Sequence, residues 1–428
     1  MAAAFPHRAA IAEQQLGKLR ALLTAIQPAN PFYTRKFAGL NASRQLESLA
    51  DFSARYPFTI KAELAADQMA NPPHGTHLTF PAGRYVRFHQ TSGTSGAPLR
   101  WLDTPDSWAA MVESWARVFA AAGVESKDRV YFAFSFGPFI GFWLAFEAAE
   151  QMGCLCLPGG GLGSAARARM IIDNAATVLC CTPTYAIRLA EVATQEGIDL
   201  SRSQVRRVIV AGEPGGSIPA TRQRIEELWR GARVFDHHGM TEVGPVTYEC
   251  PAQPGVLHVM EHAFYAEVID PATGSAAPPG QVGELVLTTL TRVGSPLLRY
   301  RTGDLVRARA ATACACGGHE LALEGGILGR VDDMVVVRGV NVYPSAIEEI
   351  LRRAGDVAEY QVSVTQNGPL TELTLTVEPA PECADAAALA QRLQKELLAA
   401  LALRVPVNVV APATLPRFEM KARRWTRA

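Results

Sequence analysis

Residues 89–99, "HQTSGTSGAPL", crowd two glycines, two threonines and two serines between a strand-like run, "RYVRF", and a leucine that follows a proline. Hydroxyls and bare backbone N–H groups in such a turn can cradle phosphate oxygens without a lysine. The stretch is not a P-loop: the Gly-Lys-Ser/Thr ending is missing, and Ala97 follows Gly96. Taken alone, the same composition also describes a solvated loop. Three further strings carry carboxylates in turns. "HHGMTEVGP" (237–245) places Glu242 after a His-Gly-Met-Thr turn, where the plain alternative is a helix cap. "YRTGDLV" (300–306) sets Asp304 in a tight Gly turn, where a carboxylate can accept two hydrogen bonds from a sugar diol. "GRVDDMVVVRGVNVYPSAIEEIL" (329–351) joins a charged, hinge-like turn to a second Gly turn before a helix.

Cysteine supplies the other chemistry. "CPAQPGVLH" gives Cys250 and His258 with seven residues between them, and "CAC" gives Cys314 and Cys316. Three thiolates and one imidazole suit a tetrahedral structural zinc, although the spacing is not the C-x₂-C of zinc fingers. Cys154, Cys156, Cys180 and Cys181 form a rival set, but they lie in apolar strand-like runs and read as buried, inert thiols. Cys383 sits in an acidic loop and suggests nothing.

The elements that must position these residues follow from periodicity. From Val86 to about Ala211, short β-rich runs such as "VRFHQ", "RVYFAFSF", "TVLCCT" and "RRVIVAG" alternate with helical stretches, Trp108 to Ala122 and Ala186 to Glu196 among them. That alternation predicts a parallel sheet covered by helices. After Glu242, strands and turns follow without intervening helices, which predicts a β-rich subdomain. The last hundred or so residues read as a separate α+β unit: "MVVVRG", a helix from Pro344 to Arg353, strands "YQVSVTQ" and "ELTLTVE", a helix from Ala384 to Leu403, then "VNVVA". The first 75 or so residues read as helices joined by Pro-rich turns, with no visible chemistry.

Bulk numbers narrow the partners. In 428 residues, 41 Lys plus Arg balance 41 Asp plus Glu, so no global field draws the chain to nucleic acid or an anionic membrane. Two domains and a small-molecule partner are expected. "VYFAFSFGPFIGFWLAFEAA" has the length of a bilayer span, but Gly137-Pro138 splits it and Glu147 lies in its second half, which argues against one. The N-terminal stretch lacks a secretory h-region, which predicts a cytoplasmic protein. Eight cysteines there argue against a disulfide framework.

In this order and spacing, with "AGEP" (211–214) and a late lysine in "LPRFEMKARRW", the strings resemble the adenylate-forming superfamily of acyl-CoA synthetases, adenylation domains and luciferases. The closer resemblance is to phenylacetate-CoA ligases, through "KLRALL…NPFYTRKF", "PFTIKAEL" and "RGVNVYPSAIEEIL", and it covers essentially the whole chain. It implies an α/β fold, with a large multi-subdomain ATP- and acyl-binding domain over 1–328 and a small mobile α+β lid domain over 329–428. It also implies a reaction: ATP-dependent conversion of an aromatic carboxylic acid to acyl-AMP with release of pyrophosphate, then transfer to CoA.

By that resemblance, Thr91, Ser92, Gly93, Thr94, Ser95 and Gly96 would hold the β- and γ-phosphates of ATP. Gly212, Glu213 and Pro214, with Asp236, His237 and His238, would line the adenine and acyl side. Thr241 would touch the α-phosphate and Glu242 would hold Mg²⁺. Asp304 would bind the ribose hydroxyls with help from Arg330, Asp332 would be the hinge, and Lys421 would reach the reacting carboxylate. The resemblance also points to Cys250, His258, Cys314 and Cys316 as zinc ligands. It leaves a homodimer among the assemblies open to the chain.

The aromatic segment holding Phe132, Phe134, Phe136, Phe139 and Phe142 is expected to wall the acyl pocket in part and to face the core in part. His237 is expected to meet a ring substituent. The chain departs from the family pattern at Ala97, where many relatives have Lys, and at Met420, where they have Gly. Two rivals stay open: a stand-alone adenylating enzyme that passes its acyl group to an amine or a carrier-protein thiol, and a noncatalytic nucleotide-binding regulator.

Overall fold

Short parallel strands alternating with capped helices dominate the middle of the chain, as the hydrophobic runs require. The computed structural model describes residues 6–40, 46–91, 98–338, 340–367, 370–418 and 422–427. It separates into two compact units, Met1–Gly160 with Phe235–Ile327, and Gly161–Val234 with Leu328–Ala428.

In the first unit, helices Arg8–Ile26, Pro31–Lys36, Leu49–Arg55 and Lys61–Ala70 precede an antiparallel pair, Arg87–Gln90 with Arg100–Asp103. This pair flanks residues 92–97 in the chain. Helix Pro105–Ala121 begins earlier than its apolar periodicity suggests, because Thr104 accepts the Ser107 N–H and a proline fills the first turn. Strands Arg129–Phe132 and Leu155–Pro158 pair in parallel across helix Trp143–Gln151. The bilayer-length apolar run is thereby divided between a strand and a helix; no described helix is long and apolar enough to cross a membrane. Beyond residue 242 come two antiparallel sheets. One joins Thr247–Glu249, Val256–Val259 and Ala322–Glu324; the other includes Phe264–Ile269, Val282–Thr289 and Tyr300–Arg307.

In the second unit, strands Val178–Cys181 and Arg207–Val210 pair in parallel around helix Pro183–Gln195, which Thr182 caps by accepting the Tyr185 N–H. Here too a Thr-Pro start carries the helix back beyond the stretch predicted from Ala186. The C-terminal part places Val357–Asn367 against Leu370–Pro379, with Val407–Val409 and Trp425–Arg427 as parallel outer strands. Helices Pro344–Ala354 and Ala386–Leu401 pack on that sheet around Ile347, Leu351, Val362, Leu375, Leu393 and Leu397. Gly355, at φ +81°, ends the first of these helices in the left-handed region that glycine tolerates. The segment 161–234 groups with this part through contacts such as Ala220 N–H on the Glu349 carboxylate at 3.3 Å.

Candidate active site

Thr91 pairs with Leu99: its N–H donates to Leu99 O and its hydroxyl accepts the Leu99 N–H, each at 3.0 Å. Ser92, Gly93, Thr94, Ser95, Gly96 and Ala97 lie outside the described residues.

The 236–249 stretch is tied to itself by main-chain and side-chain bonds. Asp236 N–H donates to Glu249, His237 N–H to the Asp236 carboxylate, and His238 N–H to the Thr247 hydroxyl. His237 Nδ1 lies 2.7 Å from Thr247 O. A carbonyl only accepts, so Nδ1 carries the proton and Nε2 keeps a lone pair. Burial pushes the His237 pKa down to about 3, so the ring is neutral. Trp115 packs on it with centroids 4.4 Å apart. Phe142 touches Trp115, and Phe134 touches both Phe142 and Phe136. Phe132 is fully buried in the core, while Phe134, Phe136 and Phe139 are half-buried.

Thr241 and Glu242 form a turn, not a helix cap. Arg292, itself buried, donates to Thr241 O at 2.9 Å and Glu242 O at 2.7 Å, and grips the Asp103 carboxylate at 2.6 and 2.7 Å. Five planar donors make arginine suited to holding two carbonyls and a carboxylate at once. The buried Glu242 carboxylate meets Lys61 Nζ at 3.1 Å. Lys61, within "PFTIKAEL" of the first 75 residues, where the sequence shows no chemistry, opens helix Lys61–Ala70 with its ammonium on the Glu242 carboxylate. Its signal in the sequence was the segment that carried the family resemblance, and its role could not be read there because the partner is remote in the chain.

Asp304 is buried, with its N–H on the Thr302 hydroxyl at 3.0 Å. His238 Nε2 stands 3.2 Å from its carboxylate. Sequence reasoning named both residues without foreseeing that they pair.

In the second unit, Gly212 takes φ +95°. Glu213 Oε1 accepts the Thr184 N–H and Oε2 the Ala422 N–H, each at 2.9 Å. Arg330 Nε donates to Asp332 at 2.8 Å, so the expected ribose contact and the expected hinge residue form an ion pair. Lys421 and Met420 lie outside the described residues.

Cys250, which follows Glu249 in the chain, and His258, Cys314 and Cys316 bring their ligand atoms within 4.8 Å of one another. Cys250 and Cys314 sulfurs are 3.6 Å apart, and Cys316 Sγ is 3.5 Å from His258 Nε2. Tetrahedral zinc with sulfur at about 2.3 Å spaces its sulfur ligands by about 3.8 Å, so this donor set and its spacing fit the ion. The other His258 nitrogen faces Glu320 O at 3.4 Å, the outer partner such ligands usually have. Of the rival thiols, Cys154, Cys180 and Cys181 are buried, and burial pushes Cys156 up to about 12.

The chain matches the model of the AMP-binding enzyme over residues 66–291 and that of the AMP-binding enzyme C-terminal domain over 339–427. It is 33% identical to phenylacetate-coenzyme A ligase of Pseudomonas putida, over 96% of this chain and 93% of that protein. A crystal structure of 2-hydroxyisobutyryl-CoA ligase in the postadenylation state, with R3-HIB-AMP, superposes with a TM-score of 0.93 at 31% identity, over 99% of this chain and 91% of that one. The same ligase with 2-HIB-AMP and CoA in the thioesterification state gives 0.74 at 33% identity, over the same shares. With both family models matched and relatives of this identity spanning nearly the whole chain, the chain belongs to the phenylacetate-CoA ligase family of AMP-binding enzymes.

Proposed function

We propose that the protein is an AMP-forming acid–thiol ligase that joins an aromatic carboxylic acid to CoA at the expense of ATP. The observation that carries this reading is the pair of buried carboxylates in one unit, Glu242 facing a cation on a clamped turn and Asp304 with His238 Nε2 3.2 Å from it. In a family whose members activate acids through acyl-AMP, these are the acids needed for a metal–polyphosphate and for a ribose.

In the first step a carboxylate oxygen bonds to the α-phosphorus of ATP and the bond to pyrophosphate breaks. Negative charge then gathers on oxygens that need donors already in place. Thr91 begins the stretch that meets the β- and γ-phosphates, with Ser92, Gly93, Thr94, Ser95 and Gly96 as its donors. Thr241 meets the α-phosphate, Asp304 the ribose, and Lys421 the reacting carboxylate; Gly212, Pro214, Asp236 and His238 belong to the nucleotide side. Glu242 is the residue that would hold Mg²⁺, since a hard carboxylate oxygen shared with substrate phosphates is that ion's usual setting, and the ion would offset polyphosphate charge. In the second step the CoA sulfur bonds to the acyl carbon and AMP departs. The division into 1–328 and 329–428, with Asp332 as hinge, lets one lid serve both steps. No disulfide joins the eight cysteines, which suits a reducing, cytoplasmic setting.

The ring cluster Trp115, Phe134, Phe136 and Phe142 favours a flat acid. Because His237 donates through Nδ1, its Nε2 can only accept, and the substituent it selects is a hydroxyl or amino group. Cys250, His258, Cys314 and Cys316 would hold a structural zinc with all four positions filled by protein, leaving none for catalysis.

The test is acid-dependent pyrophosphate release from ATP and Mg²⁺ across benzoic, hydroxybenzoic, anthranilic, arylacetic and 2-hydroxyalkanoic acids, with and without CoA. Multiple turnover that needs both an aromatic acid and CoA is the expected result. A single turnover unchanged by CoA would assign another acceptor, and preference for the aliphatic acids would remove the aromatic assignment.

A further inference from the structure

The two oxygens of the Glu213 carboxylate are committed to main-chain N–H groups from two distant segments. One accepts from Thr184 and the other from Ala422, the residue next in sequence to Lys421, each at 2.9 Å. Two residues further on, the buried Arg424 binds Glu359 through Nε at 2.6 Å and Nη2 at 3.2 Å, and its Nη1 reaches the Thr184 hydroxyl at 3.4 Å. Thr184 is thus bonded through its N–H to Glu213 and through its hydroxyl to Arg424. Glu213, Thr184, Arg424 and Ala422 close a ring around the chain segment 422–424. Arg424 O also accepts the Val362 N–H at 2.8 Å, so the end of the segment nearer the C-terminus belongs to the sheet. Ala422, at the end nearer Lys421, is held by Glu213.

The geometry points to Glu213 as a positioning residue for the acyl-AMP-forming step, a clasp that fixes the main chain beside Lys421 while the sheet contact alone would leave it free to turn. This deepens the function proposed above and rests on it. The arrangement is economical for a two-step enzyme. A charged acceptor strengthens the N–H bond, yet one such bond and the longer Arg424–Thr184 contact at 3.4 Å are few enough for a conformational step to break. The Arg424–Glu359 and sheet bonds lie within 329–428 and need not be broken.

The experiment compares the wild-type enzyme with Glu213→Gln, Thr184→Val and Thr184→Ser in three readings: acid-dependent ATP–pyrophosphate exchange, thioester formation from supplied acyl-AMP and CoA, and hydrogen exchange of the Ala422 amide. Glu213→Gln should lower exchange activity about tenfold to a hundredfold, the worth of one hydrogen bond to a charged group. It should leave thioester formation within about twofold and speed Ala422 amide exchange. Thr184→Val should show the same pattern more weakly, and Thr184→Ser should behave as wild type. Equal losses in both half-reactions, or an unchanged Ala422 amide, would overturn the clasp. The amide reading decides it even if the wild type activates none of the acids tried, a result that would count against the proposed function instead.

Discussion

Lys61 and Glu242 pose the sharpest question at the level of single residues. A buried carboxylate that faces an ammonium at 3.1 Å is less available to a second cation. Lys61 is half exposed, so solvent screens the pair and its coupling is about 1 kcal/mol or less. Removing the lysine should therefore tighten the demand of Glu242 for metal. Lys61→Met is expected to lower the Mg²⁺ concentration for half-maximal pyrophosphate exchange by up to about fivefold at fixed ATP. A rise would mean that the ammonium serves the polyphosphate instead. Arg292 makes a different prediction, because it is buried and bonds four acceptor atoms on three residues. Arg292→Lys leaves Asp103 and two carbonyls short of donors and should cost about 3–5 kcal/mol of unfolding free energy, read from denaturant titration. A loss below 1 kcal/mol would show that the clamp contributes little to the turn.

At the scale of elements, the three-stranded sheet of Thr247–Glu249, Val256–Val259 and Ala322–Glu324 carries the Cys/His loop on a very small apolar core, Cys250, Val256 and Ala322 with Cys314 and Cys316 against them. So small a cluster buries little apolar surface, and an ion shared by its four ligands would supply much of its cohesion. The protein purified without chelator should hold about one zinc per chain. A strong chelator should lower its melting temperature, with zinc restoring it; a metal-free protein of unchanged melting temperature would remove the assignment. The Cys/His set was legible from residue type together with the family resemblance, and the strand–helix alternation and the C-terminal unit from patterns that are local. Clasp and clamp were not: Glu213 with Ala422, and Arg292 with Asp103, join side chains to remote partners and leave no periodicity. The phenylalanine run shows where a local pattern fails. Alternation implies a strand through Phe136, but the strand stops at Phe132 and Phe136 takes φ +52°, so its ring is aimed by a turn that the hydrophobic pattern does not encode.

For the molecule as a whole, buried imidazoles set the response to acid. His77 and His89 are pushed down to about 4, and His237 and His262 to about 3, in each case chiefly by burial. Unfolded, each titrates near 6.5. Between those values the unfolded chain binds protons that the native protein refuses, so stability rises with pH across the window and falls as pH drops below about 6.5. Each such histidine contributes a slope of up to about 1.4 kcal/mol per pH unit. Glu348, which burial pushes up but the Arg352 and Arg424 guanidinium groups hold down to about 2, acts in the same direction as pH falls through the carboxylate range. Glu191 and Glu320, raised by burial, act against it. Two opposing carboxyls do not cancel four imidazoles. The urea midpoint should therefore be level from pH 8 to 7 and drop steadily from about 6.5 towards 4, the carboxylate windows joining only at the lower end. His77→Gln, an uncharged amide in place of the imidazole, should flatten part of that drop whatever it does to stability at pH 8. A midpoint that stays constant from pH 7 to 5 would show that these rings take up protons in the native state, and the neutral His237 invoked for substrate selection would fall with it.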